Sequence, residues 1–201
     1  MSIERRREAH SARSGAGPAP AARIESLGLL HRACWQELER ATREREHGWR
    51  ALTLATVDGD HADARIVILR EADASAQCLR FYTDARSRKV GQARARPLGT
   101  LLAWCPRLSW QLRLRVRLQV DTAEPSVRTR WSQLRLTPSA QDYMSPLAPG
   151  TPLAGGAGTP DTEAHFAIVE AAIVSMDWLE LHTEGHRRAV FDAQGERWVQ
   201  P

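Results

Sequence analysis

Two hydroxyls and two cations lie close together in the sequence, where a predicted strand is followed by a predicted helix. The segment FYTDARSRK places Thr83 at the end of the strand and Ser87, Arg88 and Lys89 at the start of the helix. The first amides of a helix lack intrahelical partners, and its N-terminus carries a partial positive charge. This combination predicts a phosphate-binding site. A structural alternative stays open, in which Ser87 only caps the helix and both cations face solvent.

Lys89 is the only lysine in a chain with 28 lysine and arginine residues, and the chain contains no asparagine. This usage indicates a coding bias under which arginine replaces lysine wherever either residue serves. A lysine that persists under such a bias is a candidate for a specific role.

The overall composition is that of an ordinary globular protein. The 201 residues suit one domain, and 42% hydrophobic with 26% charged residues argues against collagen-like, disordered and disulfide-built chains. No apolar run approaches the roughly 18 residues of a membrane-spanning helix, so we expect no membrane partner. The net charge of +4 is too small by itself to indicate nucleic acid.

The three cysteines, Cys34, Cys78 and Cys105, lack the spacing of a metal site. We therefore expect buried free thiols, a cytoplasmic location and no bound metal. His182 and His186 are four residues apart, but Gly185 and strand-like flanks argue against a helical metal-binding pair.

Apolar periodicity predicts a mainly β fold with flanking helices. Three helices are predicted, over Ala21 to about Glu46, Ser87–Arg96 and Glu124 to about Leu134. The predicted strands are Trp49–Val57, Arg65–Leu69, Leu79–Thr83, Leu98–Trp104, Gln111–Val120, Phe166–Val174, Trp178–His182, Arg188–Phe191 and Arg197–Val199. The first three of these strands are expected to form a meander. Many short strands with few helices are typical of a small β-barrel.

The chain divides into a tail and one domain. Residues 1–20 are basic and lack an apolar segment, which predicts a disordered tail and no signal peptide. Residues 21–201 are predicted to form the single domain. Residues 137–162 are rich in Pro, Gly, Ala and Ser and are predicted to be a long loop, either functional or mobile.

Four segments together resemble the pyridoxamine 5'-phosphate oxidase-like family of FMN-binding split barrels. They are RIVILR at 65–70, FYTDARSRK at 81–89, the Gln111 strand after WCPRLSW, and HRRAVF at 186–191. The resemblance implies a split β-barrel, FMN as the cofactor, and a homodimer with two FMN molecules at the subunit interface, each contacted by residues of both chains. The candidate FMN-binding residues are Arg65, Ile66, Val67, Ile68, Leu69, Arg70, Tyr82, Thr83, Ser87, Arg88, Lys89, Gln111 and Arg188.

The chemistry of these residues suits that assignment. Arg65, Arg88, Lys89 and the Thr83 hydroxyl could donate charge-assisted hydrogen bonds to a dianionic phosphate. The Gln111 amide both donates and accepts, as the pyrimidine edge of a flavin requires.

Two further groups could act on the flavin ring. Main-chain groups of the strand Val67–Leu69 could hydrogen-bond the pyrimidine edge. Arg188 is the candidate cation that would stabilise the anionic reduced flavin.

Several positions depart from the oxidases of this family. Arg70 stands where the family has a substrate lysine, and Leu134 and Glu184 stand near family arginines. Trp178 is displaced by one residue from the flavin-stacking tryptophan. An apolar and an acidic residue cannot hold a second phosphate, so oxidation of pyridoxamine phosphate itself is not predicted, and the chain fits a poorly characterised branch of the family.

The predicted activity is two-electron oxidation of a small substrate, an amine or alcohol, through FMN that oxygen reoxidises. No residue is assigned as a general base, and His186 is either a substrate contact or a packed surface histidine. Two alternatives stay open, a non-catalytic FMN carrier or sensor and a haem-binding split barrel.

A third alternative is a nucleic-acid surface on the alternating arginines Arg113, Arg115 and Arg117. We prefer a solvent-facing strand with acidic cross-strand partners and expect no nucleic-acid partner, because no aromatic residues interleave for base stacking. The seven tryptophans are predicted to lie in the core and the dimer interface.

Overall fold

The computed structural model describes residues 23–123, 125–153 and 164–201. Its helices are α1 (Leu27–Arg43), α2 (Arg88–Ala95) and α3 (Pro125–Leu134), and a 3₁₀ helix spans Pro138–Tyr143. Its strands are β1 (Ala51–Asp58), β2 (His61–Asp73), β3 (Cys78–Asp84), β4 (Leu98–Cys105), β5 (Trp110–Asp121), β6 (Phe166–Glu180), β7 (Arg187–Asp192) and β8 (Gly195–Val199).

The described strands form one antiparallel sheet in the order β3-β2-β1-β4-β5-β6-β7-β8, and β3 also pairs with β6. The β3–β6 pairing closes a ring from β1 to β6, which is the barrel. The long strand β6 pairs with β3 as far as Ala172 and with β7 from Met176. The barrel is therefore split at this strand, and the predicted meander of β1, β2 and β3 is confirmed.

Alternation along the strands builds the core. In β5, Leu112, Leu114, Val116 and Leu118 are buried, while the arginines between them are exposed. Helix α1 covers the barrel with buried residues at helical spacing, among them Leu30, Cys34 and Leu38. Burying one such side chain stabilises the fold by about 1.5–3 kcal/mol.

The predicted break between Phe166–Val174 and Trp178–His182 is wrong, because β6 is one continuous strand. Its register against β5 shifts between Arg115 and Val116, where Ser175 and Ile173 are the partners and Val174 is bypassed. A bulge of this kind interrupts the two-residue period, so the sequence pattern resembles a gap between two strands.

Part of the predicted 137–162 loop has regular structure. Ala140 and Tyr143 of the 3₁₀ helix are buried, and Tyr143 packs edge-on against Phe166 at 5.2 Å between ring centroids. This aromatic contact gives the segment a core of its own, with Val127 and Ile168. The rest of the loop from 154 to 162, the tail 1–20 and Glu124 lie outside the described residues.

The three cysteines are free and buried, as expected. Trp35, Trp49, Trp110 and Trp178 lie in the core, whereas Trp104 and Trp198 are exposed. No helix in the described ranges is long and apolar enough to cross a membrane.

Candidate functional site

The end of β3 and the first turn of α2 bring three predicted site residues together. The Lys89 ammonium donates to the Thr83 hydroxyl, with 3.0 Å between Nζ and Oγ1, and that oxygen lies 3.2 Å from the Ser87 Oγ. Thr83 and Ser87 are buried, and Lys89 is half-buried. The cluster therefore presents two hydroxyls and one cation at a helix N-terminus.

Ser87 occupies the N-cap position of α2, but its side chain makes no capping hydrogen bond. The hydroxyl faces Thr83 instead, and the Ser87 amide donates to the Asp84 carbonyl. Ser87 is therefore the N-cap residue but does not cap with its side chain, and the first amides of α2 keep their capacity to bind an anion.

The two cations of the helix start have different surroundings. The Arg88 side chain is 75% exposed and forms an ion pair with Asp58, so it fits the solvent-facing alternative. Burial, and then the charge of Arg65, lowers the pKa of Lys89. Within the described ranges, no carboxylate forms an ion pair with Lys89. Asp84 and Asp63 act on Lys89 only through longer-range charge. A half-buried ammonium without a direct ion pair is suited to binding an anion.

Arg65 is held by a polar network that the sequence reasoning missed. Its guanidinium donates to the Thr56 hydroxyl at 2.6 Å and to the Gln92 side-chain oxygen at 2.9 Å, and it pairs with Asp63 at 2.6 Å. Thr56 also donates to Gln92, at 2.6 Å. One signal was available, because Thr56 continues the inward-facing series of Leu52 and Leu54 with a polar residue.

The side chains of segment 65–70 in β2 alternate between the buried and the exposed face of the sheet. Val67 and Leu69 are buried, whereas Ile66 and Ile68 are exposed. Pairing with β3 begins only at Leu69, opposite Phe81. The Leu69 amide donates to the Arg50 carbonyl on the β1 side. Since main-chain groups alternate in direction, those of Ile66 and Ile68 point to the edge that β3 leaves open.

Gln111 and Arg188 lie elsewhere on the barrel. Gln111 of β5 and Arg188 of β7 both lie opposite Leu179 of β6, so the three residues form one row across these strands. Arg188 binds Asp177 through two bonds of 2.9 and 2.7 Å, which raise the pKa of Arg188. Strands β1 and β4 lie between β2 and β5, so Gln111 is three strands from β2, which is about 14 Å measured along the sheet at ordinary strand spacing.

Tyr82 faces away from the Lys89 cluster, since it alternates with Thr83 along β3. Its ring packs against Phe166, and its hydroxyl donates to Glu71 at 2.9 Å. Burial, and then that bond, raises the pKa of Tyr82 to about 12. Arg70 lies at the register shift of β2, with its guanidinium 5.7 Å from the centroid of the Tyr82 ring.

The remaining candidates have structural surroundings. Trp178 is fully buried against Trp110, so it is not exposed for stacking on a flavin. His186 is exposed, and its Nδ1 accepts the His182 amide at 3.1 Å. The part of the chain that the structure describes holds no cluster of side chains that could bind a metal.

One of the three arginines on the basic face of β5 has the expected acidic cross-strand partner. Arg113 pairs with Asp177 on β6, and Asp177 also binds Arg188. Burial opposes ionisation of Asp177, but hydrogen bonds from Arg188 and Arg113 hold its pKa below the usual range.

Comparison with known proteins agrees with this architecture. Residues 32–122 match the family model described as pyridoxamine 5'-phosphate oxidase, FMN-binding domain. The chain is therefore similar, over this part, to the pyridoxamine 5'-phosphate oxidase-like proteins, and its split-barrel fold is the one they share. The matched model describes an FMN-binding domain, which supports FMN as the cofactor.

Relatives and solved structures of this family resemble the chain at low identity. A pyridoxine/pyridoxamine 5'-phosphate oxidase of Caulobacter vibrioides is 29% identical over 176 residues, which cover 81% of this chain and 78% of that protein. The enzyme of the same name from Chromohalobacter salexigens is 35% identical over 105 residues, covering 51% and 48%.

Two crystal structures share the fold. A pyridoxamine 5'-phosphate oxidase-related FMN-binding protein from Nostoc punctiforme superposes with a TM-score of 0.70 and 23% identity, covering 85% of this chain and 96% of that one. PhzG from Burkholderia lata, solved with tetrahydrophenazine-1-carboxylic acid, superposes with a TM-score of 0.66 and 18% identity, covering 87% and 92%.

The residues at the start of α2 fit the phosphate of FMN. The Lys89 ammonium lacks a carboxylate partner within the described ranges, and two buried hydroxyls lie beside it. A dianion at this position would supply the missing counterion. The uncovered edge of β2 at Ile66 and Ile68 could likewise pair with the polar edge of a flavin ring.

Proposed function

We propose that this protein is an FMN-dependent oxidoreductase that acts on a small amine or alcohol. Residues 21–201 form its single catalytic domain in this proposal. The observation that carries the proposal is the half-buried Lys89 ammonium, whose hydrogen-bond partner in the structure is the neutral Thr83 hydroxyl. Bound FMN supplies two-electron redox chemistry, with oxygen as the final acceptor. The chain supplies binding, orientation and charge.

The phosphate would be held at the start of α2. Lys89 donates a charge-assisted hydrogen bond, Thr83 and Ser87 donate from their hydroxyls, and the first amides of α2 add their dipoles. Arg65 contributes positive charge from its fixed position beside Thr56 and Gln92. Arg88 contributes long-range charge, because Asp58 already binds its guanidinium.

The polar edge of the ring would pair with main-chain groups of Ile66 and Ile68. Gln111 and Arg188 supply an amide and a cation for the same ring, but one chain places them about three strands away. A second copy can bring its own Gln111 and Arg188 to this edge. The proposed site is therefore completed across a homodimer interface.

An exposed apolar surface supports the homodimer. Ile66 and Ile68 of β2 are 60 and 36% exposed, and Leu102 and Trp104 of β4 are 39 and 42% exposed. Strands β2 and β4 both pair with β1, which lies between them. Ile66 and Leu102 are both opposite Thr53 of β1, so they form one row. Contiguous exposed apolar residues of this kind mark an interaction surface.

The substrate proposed here differs from pyridoxamine phosphate. Leu134 and Trp131 pack against the small apolar cluster of Val127, Tyr143, Phe166 and Ile168, and Glu184 is exposed and acidic. Neither side chain can bind a phosphate. The buried free thiols suit a protein of the reducing cytoplasm, which we propose as its location.

The experiment is anaerobic reduction of the purified holoprotein with a panel of primary amines and alcohols. The proposal predicts that at least one class bleaches the flavin absorbance and that admitting oxygen restores it. A yellow protein that no member of the panel bleaches would favour the carrier or sensor. A Soret band in place of flavin absorbance would favour haem and contradict the proposal.

A further inference from the structure

An ion pair lies in the short connection between β3 and α2. Asp84 is the last residue of β3, and Arg86 directly precedes the N-cap Ser87. The Arg86 guanidinium donates to both carboxylate oxygens of Asp84, with 3.1 Å from Nε to Oδ1 and 2.8 Å from Nη2 to Oδ2. The Arg86 amide adds a third bond to Oδ1, at 2.7 Å. The flavin assignments above give no role to either residue.

The Asp84 carboxylate is buried, with 4% of its side chain exposed. Burial of an ionised carboxylate is strongly unfavourable unless a cation and further donors bind it. Arg86, whose side chain is 25% exposed, supplies that cation. Asp84 and Arg86 therefore form one neutral unit in the connection.

This unit lies beside the proposed phosphate site. Asp84 follows Thr83 in the chain, and the Ser87 amide donates to the Asp84 carbonyl at 3.1 Å. The charge of Asp84 also acts on Lys89, since burial and then Arg65 lower the pKa of Lys89 whereas Asp84 opposes them. A carboxylate charge without its partner would therefore repel a dianion bound here.

Arg86 also contacts the chain that follows the 3₁₀ helix. Its guanidinium donates to the main-chain carbonyls of Ser145 at 2.8 Å, Pro146 at 3.4 Å and Leu147 at 3.4 Å. These bonds tie residues 145–147 to the connection. Loss of Arg86 would therefore have two separable consequences, an unpartnered carboxylate at Asp84 and a loosened contact with residues 145–147.

We propose that Arg86 is a positioning residue for the cofactor, which acts by neutralising Asp84 beside the phosphate site. Neither side chain needs to touch the phosphate. The Asp84–Arg86 bond keeps the negative charge of Asp84 from opposing the hydroxyls and the ammonium that bind the dianion. The inference rests on the proposed function, because that function assigns Thr83, Ser87 and Lys89 to the FMN phosphate.

Fluorescence titration with FMN and with riboflavin tests this inference, in buffer of about pH 8 where carboxylates stay ionised. Arg86→Met should weaken FMN about tenfold and leave riboflavin, which lacks the phosphate, unchanged. The double variant Asp84→Asn/Arg86→Met should bind FMN as the wild type does, because no carboxylate is left to neutralise. Arg94→Met removes the same charge from an exposed residue in the last turn of α2 and should also match the wild type.

Unchanged FMN affinity in Arg86→Met would overturn the inference. Equal weakening in Arg86→Met and in the double variant would also overturn it, because the loss would then come from the contact with residues 145–147. Restored FMN affinity in the double variant supports it, since that contact is missing from both variants.

A second measurement needs no flavin. Lys89 is the only lysine of the chain, so lysine isotope-labelled at Cε gives one side-chain signal whose titration reports the pKa of Lys89. In the FMN-free chain, Arg86→Met should raise this pKa and the double variant should return it to the wild-type value. An unchanged pKa in Arg86→Met would overturn the inference. A raised pKa in a chain that binds no FMN would support the neutralisation of Asp84 and contradict only the flavin assignment.

Discussion

The Lys89 ammonium lies 3.0 Å from the Thr83 hydroxyl oxygen and forms no direct ion pair with a carboxylate of the described ranges. This geometry places a half-buried positive charge beside a neutral acceptor. The arrangement is unfavourable in the free chain and favourable once a dianion is bound. The predictions below follow from this arrangement and from the elements that hold it.

Removing the charge of Lys89 should stabilise the FMN-free chain. The folded pKa of Lys89 lies below its ordinary value of 10.5, because of burial and then Arg65. Between those two pKa values the unfolded chain binds more protons, so stability rises with pH through that window. At pH 7 the charged form therefore destabilises the fold. We expect the thermal midpoint of FMN-free Lys89→Met to equal or exceed that of the wild type; a clear decrease would contradict this.

The Ser87 hydroxyl should contribute to FMN affinity, whereas the Ser26 hydroxyl should contribute only to the stability of the fold. Ser26 caps α1 by accepting the Leu29 amide, so Ser26→Ala should cost about 1 kcal/mol of unfolding free energy and leave FMN affinity unchanged. Ser87→Ala should weaken FMN about twofold to tenfold through one lost hydrogen bond. Fluorescence titration and urea denaturation measure the two effects. Unchanged FMN affinity in Ser87→Ala would remove this residue from the site.

Glu71 should stabilise the position of α3 on the barrel in a pH-dependent way. The Arg130 guanidinium donates to Glu71, with 2.6 Å between Nη2 and Oε2. This hydrogen bond is the main cause that lowers the pKa of Glu71, and a hydrogen bond from Tyr82 lowers it further. The stabilisation is present above the ordinary pKa of 4.5 and is lost as pH falls through the lowered value.

Glu71→Gln should therefore reduce the unfolding free energy by about 1–2 kcal/mol at pH 7. The difference from the wild type should shrink in strongly acidic buffer, as urea denaturation at several pH values can measure. A difference that is constant down to the acid transition would argue against the ionic contribution.

Charge on the exposed apolar row should dissociate the proposed dimer. Ile66→Asp or Leu102→Asp would bury a carboxylate between two copies, which is strongly unfavourable. Light scattering should then report one chain instead of two, together with weaker FMN binding. Leu136→Asp, at an exposed residue elsewhere, should remain dimeric. A monomeric wild type, or dimers of all three variants, would contradict the proposed interface.

Much of the fold could be predicted from periodicity, because alternation in β5 is uninterrupted from Leu112 to Leu118. The prediction failed in β6, where the bypassed Val174 shifts the alternation. It also failed at Tyr143, whose burial depends on the distant aromatic residues Trp131 and Phe166. Local patterns carry no information on such long-range contacts.

The candidate site was predicted in part. The strand-to-helix signal identified Thr83, Ser87 and Lys89, which the structure brings together. The partners Thr56 and Gln92 were missed, because their contact joins positions 36 residues apart. The distance of Gln111 from the β2 edge follows from strand order, which the sequence did not predict.

The central assignment, Lys89 as the FMN phosphate ligand, is tested most directly by titrating Lys89→Ala with FMN and with riboflavin, which lacks the phosphate. Arg94→Ala, an exposed arginine in the last turn of α2, is the matched control. The account predicts that Lys89→Ala weakens FMN about tenfold or more and leaves riboflavin and the control unchanged. FMN affinity equal to the wild type in Lys89→Ala would contradict it.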